Sequence, residues 1–135
     1  MNSNSNAQPK MAALQNGRCN CGSITVSLAT TPTQVVRCHC FNCRRAGGPY
    51  SINYTVEEKD VIVEDSAGSL KVYQDSDTRS GSTVKRHFCS NCGSPVYSLD
   101  VHDPGKLFVK ASLFEQVATG TKDKFSDRRI QWEQQ

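Results

Sequence analysis

The segment Cys38-His39-Cys40-Phe41-Asn42-Cys43 places three cysteines within six residues, and it is the centre of the cysteine pattern that decides how this chain folds. Two more cysteine groups flank it, Cys19-Asn20-Cys21 before it and Cys89-Ser90-Asn91-Cys92 after it. All seven cysteines of the chain belong to these three groups. An odd number of clustered cysteines, with no secretory signal before them, is typical of thiolates that bind metal rather than of a disulfide scaffold.

The spacing of the two outer groups indicates that they share one ion. On an extended chain the side chains of a C-x-C pair project to the same side. In a C-x-x-C pair the chain turns tightly, and Gly93 supplies the backbone freedom for that turn. We therefore predict a structural zinc site with four ligands: Cys19, Cys21, Cys89 and Cys92. Such a site closes a loop of about 70 residues, where a cross-link stabilises most.

The middle group has three cysteines and no fourth partner, which is the ligand count of a zinc site that keeps an open position. We predict that Cys38, Cys40 and Cys43 bind a second zinc ion and take part in catalysis. His39 could be a fourth ligand, but it lies between two ligands and should point away from the metal they share. A role in supporting the ligands, or in moving a proton, is the interpretation we favour for His39.

Charged residues next to the cysteines are further candidates. A zinc ion with three thiolates has a net charge of −1, and a substrate thiolate would make it −2, so a nearby cation is needed. Arg37, Arg44 and Arg45 adjoin the middle group, and we select Arg44 as a candidate catalytic side chain. Solvation or pairing with acidic residues is the alternative. His87, two residues before Cys89, could approach either metal as an acid–base group or lie at the surface.

The rest of the chain consists of short segments that alternate as strands do. Ile24, Val26 and Leu28 alternate with polar residues, and turn-forming residues separate about eight such segments. Phe41–Ala46 is predicted as about one helical turn, and Trp132 is expected to pack over the sheet. The pattern predicts a mainly β, small zinc-stapled domain of short antiparallel strands.

Length and charge limit the possible functions. The chain has 135 residues, 36% of them hydrophobic, which suits one domain. We expect a disordered tail over residues 1–14 and a zinc domain over residues 15–135. The net charge of +3 is small and dispersed, which argues against nucleic acid as a partner. No apolar run is long enough for a membrane span, and reduced cysteines without a signal predict a cytoplasmic location. Nothing in the sequence indicates the oligomeric state.

The three cysteine groups, in this order and with these separations, resemble the family of glutathione-dependent formaldehyde-activating enzymes, also called the centromere protein V domain family. The matching stretches are Gly17–Gly22, Arg37–Gly48 and Lys85–Pro95, within about residues 14–113. The resemblance implies the family's mostly β fold and the same division of the cysteines between a structural and a second zinc. It also implies a carbon–sulfur lyase that acts on adducts of glutathione.

We therefore expect a zinc-dependent carbon–sulfur lyase that acts on a glutathione or other thiol adduct of a small carbonyl compound. It would hold two zinc ions per chain, with glutathione as a candidate co-substrate. Other functions stay open: a lyase or isomerase that needs no thiol, a non-catalytic interaction module, and a redox sensor built on the middle cysteines. The chain departs from the family at Ser126–Ile130, where a histidine is expected before Trp132.

Overall fold

The computed structural model describes residues 13–134, which form ten β-strands and one α-helix. The strands are β1 (Gln15–Arg18), β2 (Thr25–Leu28), β3 (Gln34–Cys38), β4 (Ser51–Glu57), β5 (Val61–Glu64), β6 (Leu70–Asp75), β7 (Val84–Cys89), β8 (Pro95–Asp100), β9 (Lys106–Lys110) and β10 (Gly120–Lys124). The helix α1 (Phe41–Gly47) lies between β3 and β4. The predicted mainly β domain is confirmed. The predicted tail, residues 1–14, lies outside the described residues except for positions 13 and 14.

The strands form two sheets. Seven strands have the order β10-β3-β4-β9-β8-β7-β6, and three have the order β1-β2-β5. Neighbours are antiparallel, except that β10 runs parallel to β3, with Lys124 beside Cys38. This pair corrects the expectation of antiparallel strands alone. The long connection from β3 to β10 permits it, because a parallel neighbour needs a crossover rather than a tight turn.

One face of the large sheet packs into the core. Tyr54, Val96 and Val109 are completely buried there, together with Val26 and Leu28 of the small sheet. Because side chains alternate along a strand, the residues next to Tyr54 and Val109 must point to the other face. Burial of the apolar face therefore leaves the opposite face of the large sheet to polar side chains.

That polar face is continuous across neighbouring strands. The register places Asn53 opposite Lys110, and Ser98 opposite both Arg86 and Phe108. The helix α1 is fastened over one end of β4, where the hydroxyl of Ser51 donates to a carbonyl of α1 at 2.8 Å. The polar face and the helix together create the recess that holds the candidate site.

The end of the described chain departs from the sequence prediction. Trp132 was expected to pack over the sheet, but its side chain is 60% exposed. It lies in the 3-10 turn Gln131–Gln134, which follows β10, the strand at the edge of the large sheet. Within residues 13–134, the seven-residue α1 is the only α-helix, and none of the helices has the length and apolarity needed to cross a membrane.

Candidate metal centres

The outer cysteine groups meet as predicted. The sulfur atoms of Cys19, Cys21, Cys89 and Cys92 all lie within 4.8 Å of one another. Cys21 Sγ is 3.7 Å from Cys19 Sγ and 3.7 Å from Cys89 Sγ. Zinc–sulfur bonds of 2.3 Å in a tetrahedron separate the sulfurs by about 3.8 Å. The spacing therefore suits one tetrahedral metal ion.

Two glycines form the turns that bring these sulfurs together. Gly22 and Gly93 follow the second cysteine of each pair, with φ values of 79° and 81° that side chains disfavour. The backbone N–H of Gly22 donates to the carbonyl of Cys19, and that of Gly93 donates to the carbonyl of Cys89. Hydrogen bonds from Ser94 lower the pKa of the Cys92 thiol to about 5, which favours the thiolate that metals bind.

The middle cysteines form a second cluster. The sulfurs of Cys38, Cys40 and Cys43 lie within 4.8 Å of one another, and those of Cys38 and Cys40 are 3.6 Å apart. Cys38 ends β3 and Cys40 caps α1, where its sulfur accepts the backbone N–H of Cys43 at 3.4 Å. The first turn of α1 thereby brings the sulfur of Cys43 close to the sulfurs of Cys38 and Cys40. Each of the two clusters could hold a metal ion, and no fourth metal-binding side chain among residues 13–134 joins the second one.

The second cluster opens into a cavity of about 190 Å³. Its floor is the polar face of the large sheet, and the ring of Phe125 packs against the sulfurs. Phe125 has a left-handed backbone, with φ 56° and ψ 45°, which is strained for a residue with a side chain. Next to it, the guanidinium of Arg79 stacks on the Phe125 ring at 4.7 Å and pairs with Asp127 at 2.7 Å.

Lys110 and Arg86 lie beside this cluster, and neither is among the residues predicted from the sequence. Lys110 is only 6% exposed, and burial lowers the pKa of its amine. Arg86 lies beside Cys43 and donates from Nε to Asp75 Oδ2 at 2.8 Å. Hydrogen bonds with the two neighbouring thiols, and then the charges of Arg86 and Lys110, lower the pKa of the Cys43 thiol. The cavity thus combines thiols with fixed positive charge.

The carboxylate of Asp75 connects the guanidinium of Arg86 to helix α1. Its side chain is almost fully buried, and it also accepts from Asn42 Nδ2 at 3.0 and 3.2 Å. Asn42 donates further to the carbonyl of Asp77 at 2.8 Å. One buried carboxylate therefore fixes Arg86 relative to α1, which carries Cys43.

His39 points away from the sulfurs, as expected from its position between Cys38 and Cys40. It is completely buried, and its Nε2 lies 2.8 Å from Asp123 Oδ1. Asp123 also accepts from Arg37 at 2.8 and 2.9 Å, and Arg129 lies 3.1 Å from it. Hydrogen bonds from Arg37 and His39 keep the pKa of this carboxyl well below its usual range. This network fastens the segment between two candidate ligands to β10.

The other two candidates lie outside the cavity. Arg44 stacks against the ring of Phe41 at 5.3 Å on the outer side of α1. His87 stacks on Tyr97, with ring centroids 4.2 Å apart, in a separate apolar hollow. The catalytic roles suggested for Arg44 and His87 stay predictions, and the geometry offers Arg86 instead as the cation beside the thiols. The sequence of β7, Val-Lys-Arg-His-Phe-Cys, has three consecutive polar residues and therefore carries no alternation that would single out Arg86.

A match to a known protein family covers nearly all of the described residues. The model of the family described as glutathione-dependent formaldehyde-activating enzyme matches residues 14–135. The chain belongs to this family. A Halomonas elongata protein that carries the name glutathione-dependent formaldehyde-activating enzyme is 33% identical over 105 residues, which cover 76% of this chain and 66% of that protein. The chain therefore spans just under two thirds of the length of this relative.

Two more proteins are similar to this member of the glutathione-dependent formaldehyde-activating enzyme family. A Schizosaccharomyces pombe protein described as an uncharacterized lyase is 25% identical over 108 residues, which cover 79% of this chain and 73% of that protein. The crystal structure of a Rhodobacter sphaeroides protein, a structural genomics target, matches with a TM-score of 0.60 and 27% identity. That match covers 77% of this chain and 91% of the Rhodobacter chain. The family resemblance predicted from the cysteine groups is confirmed.

Proposed function

We propose that this protein is a zinc-dependent lyase that makes or breaks a carbon–sulfur bond between a thiol, such as glutathione, and a small carbonyl compound. One observation carries the proposal. The three thiols of Cys38, Cys40 and Cys43 converge at the wall of a cavity that also contains Arg86 and Lys110. The names of the Halomonas and Schizosaccharomyces relatives support the same class of reaction.

Zinc is the metal we assign to both clusters. All candidate ligands are thiols, which favour soft or borderline ions, and the sulfur separations of 3.6 and 3.7 Å suit tetrahedral zinc. We assign a structural role to the four-cysteine cluster because it joins the segment before β2 to the turn between β7 and β8. Zinc on the three-cysteine cluster would supply a Lewis-acidic position that stabilises a substrate sulfur as its thiolate.

Side chains of the protein supply the positive charge that stabilises the departing thiolate. When the adduct breaks, the electron pair of the carbon–sulfur bond moves to sulfur, the carbon–oxygen bond becomes a carbonyl, and the hydroxyl proton passes to solvent. Negative charge therefore grows on the sulfur next to the cysteines. Arg86 and Lys110 face that position, and Asp75 holds Arg86 in place before the substrate arrives. Such pre-positioned charge stabilises a transition state at little cost in reorganisation.

The size of the cavity limits the carbonyl component. Ligand pockets usually enclose about 300–1,000 Å³, whereas this cavity measures about 190 Å³. Only the reacting end of a thiol adduct fits within it. The carbonyl carbon must therefore belong to a small group, and the rest of a peptide thiol must lie outside.

This function is tested by a nuclear magnetic resonance exchange measurement on protein whose zinc content per chain has been counted. Carbon-13 formaldehyde and glutathione are mixed at equilibrium, and nuclear magnetic resonance measures the exchange of carbon between formaldehyde hydrate and the adduct. We expect two zinc ions per chain by native mass spectrometry and exchange about tenfold or more above the spontaneous rate. Cys43→Ser should lose the second zinc and the acceleration together. Protein with two zinc ions that accelerates no thiol–aldehyde pair overturns the proposal, and turnover of a small metabolite without thiol would establish the thiol-independent lyase or isomerase instead.

A further inference from the structure

We propose that an arginine ring on the outer side of α1, formed by Phe41, Arg44, Arg45 and Arg128, binds the carboxylates of the thiol carrier. The ligand class is a peptide thiol with free carboxylates, and the inference rests on the proposed function. It adds a binding site for the part of the substrate that the cavity cannot contain.

The arginine ring combines an apolar surface with positive charge. Phe41 is 43% exposed at the start of α1. The guanidinium carbons of Arg44, Arg45 and Arg128 lie 5.3, 6.0 and 4.4 Å from its ring centroid. Three cations around one exposed aromatic ring offer contact to the aliphatic backbone of a peptide and charge to its carboxylates.

These cations are poorly neutralised by the protein. Among residues 13–134 with described side chains, no carboxylate lies within 4.0 Å of Arg44 or Arg45. Within the described part of the chain, the Arg44 guanidinium donates to a backbone carbonyl, that of Arg128, at 3.4 Å. Arg128 lies 3.7 Å from Asp127, whose other oxygen already pairs with Arg79 at 2.7 Å. The arginine ring therefore has positive charge available for an external anion.

The shape of the surface leaves room for that anion. Phe41, Arg44 and Arg45 line an open depression of about 370 Å³, together with Gly48 and Ile130. Arginine binds carboxylates through two parallel N–H donors, which gives both strength and orientation. A depression with two such side chains suits a ligand that carries more than one carboxylate.

The arginine ring and the cavity are built from the same two segments. The helix α1 contributes Asn42 and Cys43 to the cavity and Phe41 and Arg44 to the ring. The second segment contributes Phe125 to the cavity and, three residues later, Arg128 to the ring. The two sites therefore adjoin each other along α1 and along the segment that follows β10.

Binding of an unreactive ligand tests the inference without catalysis. S-methylglutathione keeps both carboxylates, and its methylated sulfur cannot form an adduct. Calorimetry with the zinc-loaded protein compares Arg44→Gln/Arg45→Gln with Lys59→Gln/Lys71→Gln, which removes the same charge from exposed sites elsewhere. We expect the arginine variant to bind about tenfold or more weakly, the lysine variant to bind within twofold of the wild type, and salt to weaken binding to the wild type more than to the arginine variant.

The dimethyl ester of S-methylglutathione provides the matched ligand control. It lacks the carboxylate charges, so we expect weak binding that is the same for the wild type and the arginine variant. Equal affinities of acid and ester, equal affinities of wild type and arginine variant, or equal losses in the arginine and lysine variants would each overturn the inference.

The two proposals can fail separately. Arginine-dependent binding of S-methylglutathione by a protein that does not accelerate adduct exchange would retain the binding site and refute the proposed reaction. Accelerated exchange with unchanged ligand affinity in the arginine variant would retain the reaction and refute the binding site.

Discussion

Arg86 Nε lies 2.8 Å from Asp75 Oδ2, so that the buried carboxylate of Asp75 holds a partly buried guanidinium next to the thiol of Cys43. The two residues belong to adjacent strands, β6 and β7, of the large sheet. Asp75 also holds Asn42 of α1, so the helix and the sheet are tied at the point where charge is needed. The orientation of Arg86 is therefore fixed by the fold before a ligand binds.

Removal of either partner is expected to reduce activity. Arg86→Gln should lower kcat/KM for adduct exchange about a hundredfold, because a pre-positioned charge is lost from the transition state. Asp75→Asn keeps the shape but not the charge, and it should lower kcat/KM about tenfold as the guanidinium loses its orientation. Steady-state kinetics with zinc counted per chain provides the measurement. Lys71→Gln is the control, and wild-type kinetics in Arg86→Gln would contradict this role.

The two cysteine clusters are expected to respond differently to loss of one ligand. Cys43→Ser should retain the fold and one zinc, because its cluster lies at a cavity on one face of the sheet. Cys89→Ser should unfold the domain, since its cluster joins distant parts of the chain and metal binding there contributes to folding free energy. Native mass spectrometry and thermal unfolding measure both effects. Equal melting temperatures for the two variants would show that this division of roles is wrong.

Asp123 is expected to stabilise the protein far more than Asp127 does. Asp123→Asn removes a carboxylate that accepts from Arg37 and contacts His39 and Arg129, and it should reduce the free energy of unfolding by about 1–3 kcal/mol. Asp127→Asn breaks an exposed pair with Arg79, which solvent screens, and should leave the free energy of unfolding nearly unchanged. Denaturant unfolding of the zinc-loaded proteins compares the two. An equal loss would mean that the partly buried network around Asp123 adds nothing beyond a surface pair.

Phe125 offers a test of backbone strain beside the sulfurs. Its φ of 56° suits glycine, so Phe125→Gly should be more stable than Phe125→Ala by about 1 kcal/mol. Both variants remove the ring that packs against the cysteines, and both should accept larger aldehydes than the wild type does. Denaturant unfolding and a series of aldehydes of increasing size measure these effects. A more stable alanine variant would show that the left-handed conformation is not retained.

The cysteine clusters could be predicted from the sequence because ligand spacing is local. Cys38, Cys40 and Cys43 meet through the end of one strand and the first turn of one helix, and such geometry can be read from six residues. Arg86 and Lys110 could not be placed in this way. They reach the same cavity through the register of β7, β8 and β9, which depends on pairing between distant segments.

Two strands were missed for a related reason. β10 has the sequence Gly-Thr-Lys-Asp-Lys, without the apolar alternation that marks a half-buried strand. It becomes a strand because the edge of β3 offers it backbone partners. The polar sequence of β1 is likewise extended by its pairing with β2. In both cases tertiary contacts decide the conformation, and local sequence does not.

The parallel pairing of β10 with β3 also sets an order for synthesis. All four cysteines of the outer cluster are available once Cys92 has emerged from the ribosome. The cavity next to Cys38 additionally requires Lys124 and Phe125, which emerge later. The four-cysteine cluster can therefore assemble on a nascent chain, whereas the cavity of the three-cysteine cluster is completed last. The two halves of the four-cysteine cluster can thus come together before the last wall of the cavity exists.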